Sequence, residues 1–226
     1  MIEELNEFFH EFMDHVVNYG MGEYLYHPTE RQIWRKDNMK CLEKLQMIYD
    51  VDLRAGAYRM AFVFDNLDWV LKIPFIDEFN DEPDVWNIQC EVECENYLRA
   101  KQEGLGEYFA ETFELAPYKY GNWEIPLYTM KKVAVDERRI DKYMYCLYDG
   151  DSEDEDEIDL WVADNYDGEF VVEAAFEAEY GQSEFCKLNR FLGKWLIDDL
   201  HPGNVGWDEN DRLIIIDYSG HSRYSR

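Results

Sequence analysis

Apolar residues recur at helical spacing near the amino terminus: Ile2, Leu5, Phe8, Phe9, Phe12, Met13, Val16 and Val17, with acidic residues between them. This period predicts an amphipathic helix stopped by Gly20 and Gly22. A second helix is expected to open at Thr29, where Thr29-Glu30-Arg31-Gln32 follows Pro28 as a capping box. It should run to about Tyr49 and bury Ile33, Trp34, Cys41, Leu42, Leu45 and Ile48. From Val51 the pattern changes. Tyr58 to Phe64 and Trp69 to Phe75 are rich in aromatic and branched residues around Asp65-Asn66-Leu67-Asp68, which predicts a β-hairpin.

Farther along, residues 83–103 read as a helix ending before Gly104 and Gly106, and Ile125 to Val133 as a strand. A helix over Ser183 to Leu196 should bury Phe185, Leu188, Phe191, Leu192 and Trp195. A turn and a short strand, Arg212 to Ile216, follow Asn204-Val205-Gly206-Trp207. No repeat and no linker interrupts the chain. Strands and a helix first, then helices and a hairpin, predict an α+β protein of two lobes meeting at a cleft.

Composition narrows the function. Of 226 residues, 50 are Asp or Glu and 22 are Lys or Arg, for a net charge of −28. Phosphate backbones need clustered cations, so the general surface is not expected to hold nucleic acid. Hydrophobic residues form 46% of the chain and include 7 Trp, 17 Tyr and 13 Phe, which argues against disorder. Cys41, Cys90, Cys94, Cys146 and Cys186 are odd in number and contain no Cys-x-x-Cys pair, so a reducing compartment is expected. Cys90 and Cys94 lie one helical turn apart, yet no second pair completes a metal site. His10 and His15 are five apart and are expected to be surface or packing residues. The acidic amino terminus resembles no signal peptide, and no apolar run approaches the ~20 residues of a membrane span. A soluble, cytoplasmic protein is expected. Residues 149–159 hold eight carboxylates and no cation, which reads as a solvated loop.

Chemistry concentrates near the carboxyl end. Asp199 and Asn204 flank a turn made by Pro202 and Gly203, and Asp217 follows the apolar run Ile214-Ile215-Ile216. Three oxygen-bearing side chains on two loops suit Mg²⁺, which takes few protein ligands and completes its shell with phosphate and water. Taken singly, each would be an ordinary turn residue. As an ordered set they resemble the protein-kinase-like superfamily, which includes protein kinases and aminoglycoside-type phosphotransferases. There a catalytic-loop Asp precedes an Asn by five positions, and Asp-Phe-Gly follows after a hairpin. Asp217-Tyr218-Ser219 stands where Asp-Phe-Gly would.

The resemblance extends upstream. Val70-Leu71-Lys72-Ile73 places a lone lysine in an apolar strand, as in the family's Val-Ala-Ile-Lys. It implies a partner glutamate on the next helix: Glu93 first, with Glu91 and Glu95 open. Gly56, within Arg54-Ala55-Gly56-Ala57-Tyr58, stands at the position of the phosphate-covering loop. Met130 would border the adenine, and backbone groups of Lys131 and Val133 would bond it. The implied architecture is an α+β, compact two-lobed kinase-like fold. It has a helical extension (1–50), an N-lobe (51–132) and a reduced, mainly helical C-lobe (133–226).

ATP and Mg²⁺ are the implied cofactors, with Asp199 as catalytic base, Lys72 on the phosphates, and Asn204 and Asp217 on the metal. The family's His-Arg is replaced by Ile197-Asp198 ahead of Asp199, so control by a phosphorylated activation loop is not expected. Nine residues follow Asp217, too few for a peptide-binding C-lobe, and this layout resembles small Ser/Thr kinase-like proteins of bacteriophages. A basic host or partner protein is then the expected substrate, in the host cytoplasm. Two alternatives remain. One is an inactive kinase-like acidic decoy that mimics DNA towards a basic protein. The other is a small-molecule kinase, which the wording His201-Pro202-Gly203-Asn204 favours. A homo-oligomer stays open, as does self-phosphorylation at Ser152, Ser219, Ser222 or Ser225.

Overall fold

The computed structural model describes residues 1–21, 36–56, 58–76, 85–143, 147 and 168–220. The helix start at Thr29, with Ile33 and Trp34, lies outside these residues, as do Ala57, Cys146, the acidic run 149–159, Ser152, Ser222 and Ser225. The chain forms an α+β fold of two compact units. Residues 1–95 and 111–132 make the first; residues 96–110 and 133–226 make the second.

In the first unit, α1 (Ile2–Val16) carries Glu3 and Glu4 in its opening turn, negative charges that suit the helix dipole. Its apolar face is buried through Leu5, Phe9, Phe12, Met13 and Val16. After α2 (Lys36–Tyr49), β1 (Val51–Ala55), β2 (Arg59–Phe64) and β3 (Trp69–Pro74) follow as a meander. β4 (Thr112–Glu114) and β7 (Tyr128–Lys131) complete a five-stranded antiparallel sheet in the order β1-β2-β3-β7-β4. β5 (Tyr118–Tyr120) and β6 (Trp123–Ile125) form a separate hairpin.

The α1 face closes over this sheet with edge-on aromatic contacts. The Phe12 ring centroid lies 4.9 Å from those of both Phe62 and Phe64. Each such fully buried side chain contributes about 1.5–3 kcal/mol. His10 and His15 serve this packing: His10 Nε2 lies 2.9 Å from Ala116 O, and His15 Nδ1 meets the Tyr49 hydroxyl. The amino-terminal helices therefore share the core of the sheet.

Three expectations are corrected. Ile48 is 53% exposed, because α2 turns it away from the face that buries Leu42 and Leu45. The strand expected over 125–133 is two, β6 and β7, separated by Pro126, which has no N–H for a ladder. The helix expected from residue 83 begins at Gln89 as α3 (Gln89–Gln102). Before it, Ile76 bridges Trp86 and Asn87 N–H donates to Phe75 O, so the chain stays extended there. Asn87 Oδ1 then accepts from Gln89 N–H at 3.0 Å, capping the helix.

The second unit takes α3 from Asn96 onward, then α4 (Glu137–Asp141), α5 (Gly168–Tyr180) and α6 (Gln182–Trp195). Val172, Ala175 and Phe176 of α5 and Leu188, Phe191 and Leu192 of α6 are buried. Strands β8 (Val205–Trp207) and β9 (Leu213–Ile215) pair antiparallel, with Val205 opposite Ile215. No described helix is long and apolar enough to cross a membrane.

Candidate functional site

The first unit buries a charge cluster on its sheet. Lys72, on β3, lies opposite Ala61 on β2 and Tyr128 on β7. Paired residues share a face, and so do residues two apart on a strand, so Arg59 projects from the same face as Lys72. From α3, Glu93 reaches both cations: Oε2 lies 2.9 Å from Lys72 Nζ and Oε1 lies 2.8 Å from Arg59 Nη2. Their side chains are 8%, 10% and 0% exposed for Lys72, Arg59 and Glu93 respectively. Glu91 and Glu95 are exposed. They lie two residues, or about 200° of helix, on either side of Glu93.

Sequence reasoning missed Arg59. A cation at the start of a strand looks ordinary until the register shows which face it takes. Desolvating three charges this far is costly unless the geometry returns the energy, which makes the cluster a poor device for stability alone.

Below the cluster sit two thiols. Burial pushes Cys90 up to about 11, and burial likewise raises Cys94 well above the ordinary range. Protonated, buried thiols are poor nucleophiles and poor metal ligands. Among the described residues no three His, Cys, Asp or Glu side chains gather as a metal cluster.

The remaining expected residues of this unit make backbone and packing contacts within the sheet. Gly56 N–H donates to Arg59 O at 3.0 Å, closing the turn from β1 to β2. A Cβ on Gly56 would find its nearest neighbour at 3.9 Å, so no close approach demands glycine there. Met130 is buried, opposite Val70 and Thr112. The Lys131 N–H donates to Glu111 O at 2.7 Å, so any base contact by Lys131 cannot come from that group.

The second unit gathers Asp199, Asn204 and Asp217. Helix α6 ends at Leu196, in the left-handed conformation, and Ile197 N–H closes back on Leu192 O at 3.0 Å. Ile197 and Leu200 are buried anchors, which leaves Asp198 and Asp199 more exposed between them. His201 Nδ1 accepts from Gly203 N–H at 3.1 Å and caps the single turn Pro202–Asn204.

That turn brings Asn204 back onto the loop: its Nδ2 donates to Asp199 O at 2.7 Å. Asn204 O accepts from Ile216 N–H at 2.9 Å, which puts Asn204 beside the residue preceding Asp217. Asp217 Oδ1 accepts from Ser219 Oγ at 3.3 Å. With the amide's donor end committed to Asp199, its carbonyl oxygen is the end left for a cation. A carboxylate and an amide oxygen on neighbouring strand ends are hard donors, and they fit Mg²⁺ better than any softer metal. Val133, at the start of this unit, packs against Gly206 of β8.

No family model matches the chain, and no curated protein does. Among solved structures, the chain is similar to the bifunctional kinase–methyltransferase WbdD. That match has 17% identity over 74% of this chain and 32% of the other, with a TM-score of 0.33. A second similar structure is WbdD with the kinase inhibitor LY294002, at 16% identity over 74% and 31%, with a TM-score of 0.29. The chain spans about a third of the length of these structures.

Proposed function

We propose that the protein is an ATP- and Mg²⁺-dependent phosphotransferase that phosphorylates a serine or threonine hydroxyl of a basic protein. The observation that carries this reading is the buried Lys72–Glu93 pair. A lysine inside a strand, held by a fully buried glutamate of the next helix, presents a fixed ammonium to an anion. The loop from Asp199 to Asn204, closed by the Asn204 amide, supports it from the second unit.

In this reading Asp199 orients the acceptor hydroxyl and takes its proton. Lys72 binds oxygens of the phosphates that are not transferred, and Glu93 keeps its ammonium from straying. Asn204 Oδ1 and the Asp217 carboxylate are the groups that would hold Mg²⁺. ATP and Mg²⁺, when bound, supply the phosphoryl group and the countercharge that lets it leave. What the protein adds is positioning and fixed charge. The net charge of −28 favours a basic macromolecule as acceptor through steering and complementarity.

The test is transfer of radiolabelled phosphate from ATP to a basic protein such as histone or myelin basic protein, with and without Mg²⁺. Wild type should label the acceptor and Asp199→Ala should not, while keeping its nucleotide-dependent rise in melting temperature. Equal labelling by both would sink the assignment of Asp199. Salt-sensitive binding of the basic protein by wild type, unchanged in Asp199→Ala and without any labelling, would establish the acidic decoy instead.

A further inference from the structure

The segment after Asp217 is held from three sides by groups the proposed chemistry does not use. Tyr218 is fully buried, and its hydroxyl donates to Ala110 O at 2.6 Å. Ala110 N–H in turn donates to Ile215 O at 2.8 Å, so one backbone unit is tied to the chain on both sides of Asp217. The third tether is Asn96 of α3, whose Nδ2 donates to Tyr218 O at 2.8 Å.

Asn96 is 0% exposed, and its other end is also committed: Oδ1 accepts from Arg99 Nη1 at 2.9 Å. Arg99 is itself held, its guanidinium lying 4.2 Å from the centre of the Trp195 ring. The amide therefore has one orientation, donor toward Tyr218. A buried asparagine costs stability unless every group is matched, and here both ends are. A leucine could fill this volume, but it would leave the Tyr218 carbonyl without its donor.

We propose that Asn96, together with the Tyr218 hydroxyl, is a positioning residue that fixes the Asp217 carboxylate for divalent-cation binding. The inference rests on the phosphotransferase reading for the role of Asp217 and goes beyond it in naming what holds Asp217 still. Outer residues that orient a metal ligand commonly set affinity by 10–100-fold without touching the metal. The phenol also explains a departure from Asp-Phe-Gly: tyrosine fills the phenylalanine's place and adds a hydrogen bond.

Mn²⁺ binding to the full chain, read by the electron paramagnetic resonance of the free ion with ADP present, tests this without any turnover. The site signal is the part of the binding that Asp217→Asn removes. Asn96→Ala should raise the Mn²⁺ dissociation constant at this site about tenfold. Tyr218→Phe, which keeps the ring and the fold, should raise it by a smaller factor. The α5 core variant Val172→Ala, compared at a matched fall in melting temperature, should leave it unchanged.

Unchanged Mn²⁺ affinity in Asn96→Ala would overturn the inference, and so would equal weakening in Val172→Ala. If wild type shows no Asp217-dependent Mn²⁺ binding, the phosphotransferase reading fails and this inference falls with it. Wild-type binding with an unaffected Asn96→Ala overturns the inference alone.

Discussion

Lys72 Nζ lies 2.9 Å from Glu93 Oε2, and the same carboxylate holds Arg59 through its other oxygen at 2.8 Å. One anion thus serves two buried cations, and the consequences of removing each partner differ. Glu93→Ala strips both cations of their shared carboxylate and should destabilise the protein by about 3–5 kcal/mol. Lys72→Met leaves Glu93 bound to Arg59 and should cost clearly less. Urea unfolding of the two variants gives the order, and a larger loss for Lys72→Met would contradict the shared role of Glu93. Both variants should lose phosphotransfer, Lys72→Met while remaining folded.

Cys90 gives a pH dependence. Burial first, with the negative Glu93 adding to it, lifts its thiol from about 9 in the unfolded chain to about 11, against the pull of Arg59 and Lys72. A raised pKa means the folded state keeps its proton longer. The contribution is therefore complete below about pH 9 and is lost as the pH rises towards 11. Unfolding free energies at pH 8 and pH 10.5 should fall more for wild type than for Cys90→Ala. Iodoacetamide at pH 8 should modify the exposed Cys186 well before Cys90 or Cys94. Faster labelling of Cys90 would contradict its burial.

How much of this was legible depends on what each residue's signal required. Lys72 stood out because a lone charge in an apolar strand is unusual and because the set Asp199, Asn204 and Asp217 carried a resemblance that implies a lysine on an early strand. Glu93 was its first-choice partner, with Glu91 and Glu95 left open because all three ride the same helix and its rotation selects among them; the structure pairs Lys72 with Glu93. Arg59 needed the β2–β3 register, and Asn96 needed a contact 122 residues away in sequence. Helix α5 escaped notice because Phe170, Val171, Val172, Ala174, Ala175 and Phe176 crowd together and blur the helical period. The α3 start was misplaced because Asn87 caps through its side chain. Local patterns were readable, whereas long-range pairings were not.

Asn204 makes two separable contributions, and its variants should separate them. Asn204→Asp keeps an oxygen for a cation but removes the N–H that donates to Asp199 O at 2.7 Å. It also sets a second negative charge near Asp217. Its turnover should fall by about 10- to 100-fold with little rise in the Mg²⁺ concentration needed for half-maximal rate. Asn204→Ala removes both functions, so turnover should fall and the Mg²⁺ requirement should rise together. Mg²⁺ titrations of the initial rate distinguish the two patterns. Identical Mg²⁺ requirements in wild type and Asn204→Ala would remove Asn204 from the metal site.

Gly220 closes the segment that carries Asp217, and its surroundings leave no room for a side chain. Its φ is +75°, where an L-residue is strained, and a Cβ placed there would lie 2.1 Å from Leu196 O and 3.1 Å from Leu196 C. The obstacle is backbone at the end of α6, three residues before Asp199, so no side chain can swing away to relieve it. Gly104 provides the control: its φ is +77°, yet a Cβ would meet nothing within 4 Å. Gly104→Ala should therefore cost only the left-handed strain, about 1–2 kcal/mol. Gly220→Ala carries the same strain and must also push the Asp217 segment from the loop that bears Asp199. It should cost more than Gly104→Ala, roughly 3 kcal/mol or above, and should abolish phosphotransfer even where it folds. Melting temperatures and initial rates of the two variants, measured side by side, check this. Equal stability losses with equal residual activity would show that Leu196 and Gly220 do not approach as closely as the structure has them.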